Sequence, residues 1–177
     1  VTLRPYQAEF VSDLWDALDR HQRVLGVMPT GGGKTVCFTD MAGQAAASGQ
    51  HVLLIAHRLE IVGQIGASLE RAGVQHGWVM PGQKASDDPV QVGMVQTLAR
   101  RLDNFPAPDF IIFDEAHHVG AKTYLKIIDA YPNARILGVT ATPIGASGKG
   151  LGVVFRHLTL GPTMRWLIER NYLADYV

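Results

Sequence analysis

Val24-Leu25-Gly26-Val27-Met28-Pro29-Thr30-Gly31-Gly32-Gly33-Lys34-Thr35 is the stretch that decides the fold. Residues 24–28 form an apolar run of strand length, and a helix-compatible segment begins near Lys34. A glycine-rich loop between a buried strand and a helix has the setting a phosphate-binding loop requires. Gly31, Gly32 and Gly33 let backbone N–H groups turn inward around a phosphate. The start of the following helix adds partial positive charge. Lys34 can reach terminal phosphates, and the Thr35 hydroxyl can hold Mg²⁺. A nucleoside triphosphate is therefore the expected ligand. The general pattern places a glycine where this chain has Met28. A flexible glycine connector is the competing reading, but a connector is not normally bracketed by a strand pattern and a helix.

The 177 residues fit a single domain, residues 1–177, of a size that buries roughly 70% of its unfolded surface. Hydrophobic residues make up 47% and charged residues 18%, an ordinary balance for a protein with a core. Formal net charge is zero, so any contact with nucleic acid must come from local groups. Cys37 is the only cysteine, which excludes a disulfide framework and reads as a buried structural thiol. Neither a signal peptide nor a bilayer-length apolar run is visible, which leads to the expectation of a cytoplasmic protein with no membrane partner.

Apolar runs and amphipathic stretches alternate along the chain. Strands are predicted at residues 24–28, 51–56, 74–80, 90–95, 110–113 and 136–140, and helices at 35–48, 58–72, 96–102 and 121–131. Residues 162–171 read as a short terminal helix with Pro162 near its start. Continuous apolar strands such as Val52-Leu53-Leu54-Ile55 suit a mainly parallel sheet covered on both faces. The alternation implies a three-layer α/β domain, with ligands beyond the carboxyl ends of the strands. Residues 81–89 and 144–150 read as surface loops. Trp78 and Trp166 lie on apolar patterns and are predicted to pack in the core rather than stack on bases.

Phe110-Ile111-Ile112-Phe113-Asp114-Glu115-Ala116-His117 supplies the second half of a nucleotide site. The apolar strand delivers Asp114 to the carboxyl edge of the sheet, where its charge can hold Mg²⁺. Glu115 follows where it can orient or deprotonate an attacking water. Two acids could also simply favour a helix N-terminus. Their occurrence with the phosphate loop makes the catalytic reading the stronger one.

Asp114-Glu115-Ala116-His117 resembles the DEAH-box form of the Walker B motif in superfamily 2 helicases and translocases. Further segments resemble that family's motifs in its order. These are Leu3-Arg4-Pro5-Tyr6-Gln7, the loop from Pro29 to Thr35, Ile55-Ala56-His57-Arg58 through Gln64, the run from Val95 to Arg101, and Thr140-Ala141-Thr142-Pro143. In this superfamily the phosphate loop tolerates a residue such as Met28. The doubled His117-His118 and the stretch 148–155 look most like DNA helicases related to type III restriction subunits and excision-repair helicases.

The resemblance implies an N-terminal RecA-like lobe that binds ATP and Mg²⁺ and hydrolyses ATP. Lys34, Asp114, Glu115 and His117 would be catalytic. Arg4, Gln7, Pro29, Thr30, Gly31, Gly32, Gly33, Lys34 and Thr35 would hold the nucleotide, with Gln7 reading adenine. A helix N-terminus near Tyr6 is the alternative for that segment. Thr35 and Asp114 would hold Mg²⁺, and His117 would couple the site to Thr140 and Thr142. A zinc site at His117-His118 is rejected, because no cysteine or third histidine lies at ligand spacing. Arg58, Thr97, Arg100 and Arg101 would lie along a nucleic-acid backbone, DNA rather than RNA. A solvated helix surface is an equal reading for each of these side chains alone. Relatives of this branch carry Arg and Asp shortly after Thr-Pro, where this chain has Gly145 and Ser147.

Two functions are consistent with these motifs. One is the ATP-binding lobe of a DNA motor whose second RecA-like lobe, absent from this chain, is expected in the full-length protein. The isolated lobe would then be weakly active or inactive. The other is a non-catalytic, nucleotide-responsive module that binds nucleic acid or protein.

Overall fold

The computed structural model describes residues 2–83, 86–143 and 151–174. In chain order the elements are α1 (Pro5–Leu18), β1 (Arg23–Val27), α2 (Lys34–Ala47), β2 (Val52–Ala56), α3 (Leu59–Arg71), β3 (Gly77–Val79), β4 (Val90–Met94), α4 (Val95–Ala99), β5 (Phe110–Asp114), α5 (Lys122–Ala130), β6 (Arg135–Thr140), β7 (His157–Leu160) and α6 (Met164–Glu169). The strands form one sheet in the order β3-β4-β2-β5-β6-β1-β7, and every pairing is parallel.

Parallel strands need crossovers, and the crossovers cover both faces. Side-chain alternation along the central strands produces two separate cores. Val52, Leu54, Phe110 and Ile112 join Phe10, Leu14, Phe38, Met41, Ile65 and Leu69 under α1, α2 and α3. Leu53, Ile55, Ile111 and Phe113 join Leu98, Tyr124, Ile127 and Phe155 on the other face, under α4 and α5. The expected three-layer arrangement is therefore present, and its sheet is parallel throughout the described residues.

Several boundaries differ from the sequence reading. The strand expected at 74–80 is reduced to Gly77–Val79. The helix expected at 96–102 begins directly at Val95, ends at Ala99 and is followed by a 3₁₀ turn over Leu102–Asn104. The terminal helix runs only from Met164 to Glu169, with the Thr163 hydroxyl accepting from the Trp166 N–H at 3.2 Å. Pro162 thus precedes the cap instead of opening the helix. Two elements were not predicted as such. α1 was considered only as an alternative, although Phe10, Leu14 and Leu18 recur at helical spacing and are buried. Among the described residues β7 pairs only with β1, and it carries the exposed Leu158 and Leu160, so it lacks the buried-strand signature. Trp78 and Trp166 are half-buried and pack against the first core, and Cys37 is 1% exposed within it. Gly145, Ser147 and the whole loop predicted at 144–150 lie outside the described residues.

The topology also arranges the loops. Strands β4, β2, β5, β6 and β1 are successive neighbours with one polarity, so the segments after their carboxyl ends line up along one edge. Arg100 and Arg101 follow β4 by way of α4, and Arg58 follows β2. Asp114 through His118 come at the end of β5, Thr140 through Thr142 at the end of β6, and the glycine loop after β1.

Candidate nucleotide site

The glycine loop leaves β1 and enters α2 with Gly31 at φ 82° and Gly33 at φ 88°, the left-handed region that glycine tolerates best. Met28 is fully buried beneath it. A Cβ at Gly32 would meet Met28 Cγ at 2.8 Å and Sδ at 2.9 Å, so this methionine sets the floor of the loop. A Cβ at Gly33 would collide with the Gln7 amide nitrogen. The loop is thus a cradle that side chains would fill. Its following helix points its N-terminus toward the same space, which suits an anionic phosphate.

α1 grips this loop from outside. The Tyr6 hydroxyl and the Gln7 Nε2 both donate to the Gly32 carbonyl, at 3.0 and 3.2 Å. Gln7 Oε1 accepts from the Arg4 N–H at 2.9 Å, satisfying the backbone donor of the residue that precedes α1. Gln7 is 6% exposed, and both ends of its amide are engaged within the protein. Arg4 is exposed, and its guanidinium lies 5.3 Å from the centre of the Tyr172 ring. Tyr6 packs edge-on against both Trp166 and Tyr172. Beside them, a Cβ at Gly31 would lie 2.7 Å from Leu173. Tyr172 and Leu173 were not anticipated from the sequence, because no motif marks them.

The acids meet the loop across one strand. β6 lies between β1 and β5, with Val27 opposite Thr140 and Asp114 opposite Val139. Gly138 allows the close approach: a Cβ there would lie 2.8 Å from Ala116 Cβ. Asp114 is 7% exposed, and Oδ1 accepts from the Glu115 N–H at 2.9 Å. Burial pushes its carboxyl up to about 6, against the opposing pull of that N–H and of Lys34. Burial lowers the Lys34 ammonium, while Glu115 and Asp114 oppose that effect. A buried carboxylate carrying too little compensating charge fits a divalent cation, and the Thr35 hydroxyl is at the start of the facing helix. Glu115 has φ 53° and ψ 51°, an uncommon conformation for a residue with a side chain. This turn directs the chain into a 3₁₀ turn over Ala116–His118.

His117 Nδ1 is 3.1 Å from Glu115 Oε2 and 3.4 Å from Thr140 Oγ1. The Thr140 hydroxyl donates to the Thr142 carbonyl at 2.9 Å and accepts from the Thr142 N–H at 3.2 Å. With its proton committed to Thr142, Thr140 can only accept from His117. One N–H therefore faces two acceptors, a carboxylate and a hydroxyl. Thr140 is fully buried and Thr142 is exposed.

The remaining sequence candidates divide by exposure. Arg58 and Arg100 are exposed, while Arg101 is half-buried and donates to the Gln83 carbonyl at 3.0 Å. Thr97 is 8% exposed within α4, so its side chain faces the protein more than solvent. Arg58 Nε donates to His57 Nε2 at 3.2 Å. His57 and His118 complete this region, and their contact was not foreseen because it joins two separate loops.

Comparison with known proteins agrees with this architecture. A protein named only as a 51.5 kDa protein, from a Lactococcus phage, is 34% identical over 148 residues, covering 84% of this chain and 30% of that protein. A protein of Schizosaccharomyces pombe named as a mitochondrial ATP-dependent helicase, irc3, is 31% identical, over 94% of this chain and 31% of its own length. The chain thus spans about 30% of the length of these relatives. The solved structure of a nuclease-deletion mutant of the Type ISP restriction-modification enzyme LlaGI superposes with a TM-score of 0.76 at 17% identity, covering 97% of this chain and 21% of that one. That likeness shows the fold, an α/β RecA-like domain. The model of the family described as Type III restriction enzyme, res subunit, matches residues 1–145, and the chain belongs to that family.

Proposed function

We propose that this chain is the ATP-binding lobe of a superfamily 2 DNA helicase or translocase of DEAH-box type, coupling ATP hydrolysis to movement on nucleic acid. The observation that carries this reading is the order of groups along one sheet edge: exposed arginines after β2 and α4, acids after β5, hydroxyls after β6 and the phosphate cradle after β1. The helicase name of the yeast relative and the DNA substrate mimic bound to LlaGI favour the same reading.

In the proposed reaction, the Gly31–Gly33 backbone and Lys34 would hold the triphosphate of ATP, and Asp114 and Thr35 would hold Mg²⁺. The bound cation would neutralise charge on the phosphate oxygens. Glu115 orients the attacking water and takes its proton as the new phosphorus–oxygen bond forms and the bond to ADP breaks. Tyr6 and Gln7 fix the loop through the Gly32 carbonyl. The edge of the purine would pass near Arg4 and Gln7. Arg58 and Arg100 contact phosphates of the nucleic acid without reading bases. A second RecA-like lobe in the full-length protein would complete the site, leaving the isolated lobe slow.

The test is ATP turnover by the full-length protein with and without single- and double-stranded DNA or RNA. Stimulation by DNA that disappears in Lys34→Ala and Glu115→Gln is the expected result. Glu115→Gln should still bind nucleotide while turnover falls roughly 10²–10⁴-fold. Nucleotide binding without turnover in the wild type would instead establish a non-catalytic module, and stronger stimulation by RNA would reassign the substrate.

A further inference from the structure

Between the arginine side and the acid side of the sheet edge stand three histidines from two loops. His57 follows β2, and His117 and His118 belong to the turn after β5, the neighbouring strand. The His57 and His118 rings meet edge-on with centroids 4.2 Å apart, and the His118 and His117 rings are 4.1 Å apart. At one end of this row Arg58 Nε donates to His57 Nε2. At the other, His117 Nδ1 faces both Glu115 and Thr140.

Each end can adopt two states. Because His57 Nε2 accepts from Arg58, the ring proton resides on Nδ1, and that atom is buried without a hydrogen-bond partner among the described residues. An unmet buried donor is a costly arrangement, held while Arg58 occupies the other side of the ring. A phosphate that draws the Arg58 guanidinium away removes that restraint and frees the ring to turn. At the far end, a small displacement of His117 moves its N–H from the Glu115 carboxylate toward Thr140. Once that N–H is withdrawn, the Glu115 carboxylate loses the contact that holds its orientation and is free to turn.

We infer that His57 and His118 are positioning residues that transmit nucleic-acid contact at Arg58 to Glu115, through the ring contacts His57–His118–His117. This inference rests on the motor reading above and adds the route by which the two sides of the edge communicate. Rings in van der Waals contact transmit displacement because packed side chains resist compression. Burial and the neighbouring cationic groups lower the basicity of His57 and His118, which favours neutral rings that can pack this closely. A two-state element biased by both sites is the physical requirement for such coupling.

The test uses the full-length protein, comparing basal and DNA-stimulated ATP turnover for wild type, His118→Ala, His118→Phe, His57→Phe and the double variant His57→Phe/His118→Ala. Basal turnover and KM for ATP are expected to stay near wild type in every variant. His118→Ala, which breaks ring contact, and His57→Phe, which removes the acceptor for Arg58, should each cut stimulation of kcat by roughly fivefold or more. His118→Phe should retain stimulation because it preserves the ring. The double variant should be no worse than the stronger single, as expected for two links in one chain. Wild-type stimulation in His118→Ala and His57→Phe, or multiplicative losses in the double variant, overturns the relay while leaving the motor reading intact. Failure of DNA to stimulate the wild type overturns the motor reading itself, and the relay with it.

Discussion

Asp114 shows how one buried carboxyl ties stability to ligand. Burial disfavours its charged form more strongly than the Glu115 N–H and Lys34 favour it, which raises the group from 3.8 to about 6. The native state therefore binds more protons than the unfolded chain between those values. Its contribution to stability is full below about pH 4 and is lost as the pH rises through 6. For nucleotide-free protein this amounts to roughly 3 kcal/mol. Urea denaturation at pH 4 and pH 7 should show that difference between wild type and Asp114→Asn, which has no carboxyl to titrate. Nucleotide binding with Mg²⁺ should carry the opposite slope, tightening up to pH 6, because the cation needs the ionised carboxylate. A pH-independent difference between wild type and variant would contradict this account of the site.

At the scale of elements, α1 links the start of the chain to the phosphate loop through a single amide. Gln7 accepts from Arg4 and donates to Gly32, so two substitutions separate the two roles. Gln7→Ala should lose the Arg4 contact and the loop contact together, lowering stability by about 1–2 kcal/mol. Gln7→Glu keeps the acceptor for the Arg4 N–H and loses the donor to the Gly32 carbonyl. It should recover most of the stability in denaturation curves while ATP-analogue titration still reports weakened binding. Equal affinity of Gln7→Glu and wild type would show that the loop holds its shape without the clamp. None of this dual use was legible from Tyr6-Gln7 alone, because the sequence does not reveal that the loop carbonyl comes within reach. The placement of Gly31 to Thr35 between β1 and α2 and of Asp114-Glu115 at the end of β5 was legible because it depends on local apolar runs and the spacing between strand and helix. β7 was not, since an edge strand exposing Leu158 and Leu160 lacks the apolar continuity that announces β2 and β5. The histidine row was hidden for a third reason: His57 and His118 are far apart in sequence and meet only because β2 and β5 are neighbours.

For the whole molecule, the proposed function requires a chain with formal net charge zero to hold a polyanion. No long-range field draws nucleic acid in, so affinity must come from a few cations placed at one edge. Arg58 and Arg100 are exposed after adjacent strands β2 and β4, on the side of the edge away from the phosphate loop. Each should neutralise one phosphate and release counterions when it does so. In the full-length protein, Arg58→Ala and Arg100→Ala should each reduce the magnitude of the log affinity against log salt slope by about one. Binding should weaken to a similar degree for unrelated sequences, because phosphates carry no base information. Thr97 offers the contrast. Buried in α4, it should change affinity little as Thr97→Val and leave the salt slope unchanged. Fluorescence anisotropy across a salt series measures all three. An unchanged slope in both arginine variants would mean that the nucleic acid does not run along this edge, whatever turnover it stimulates.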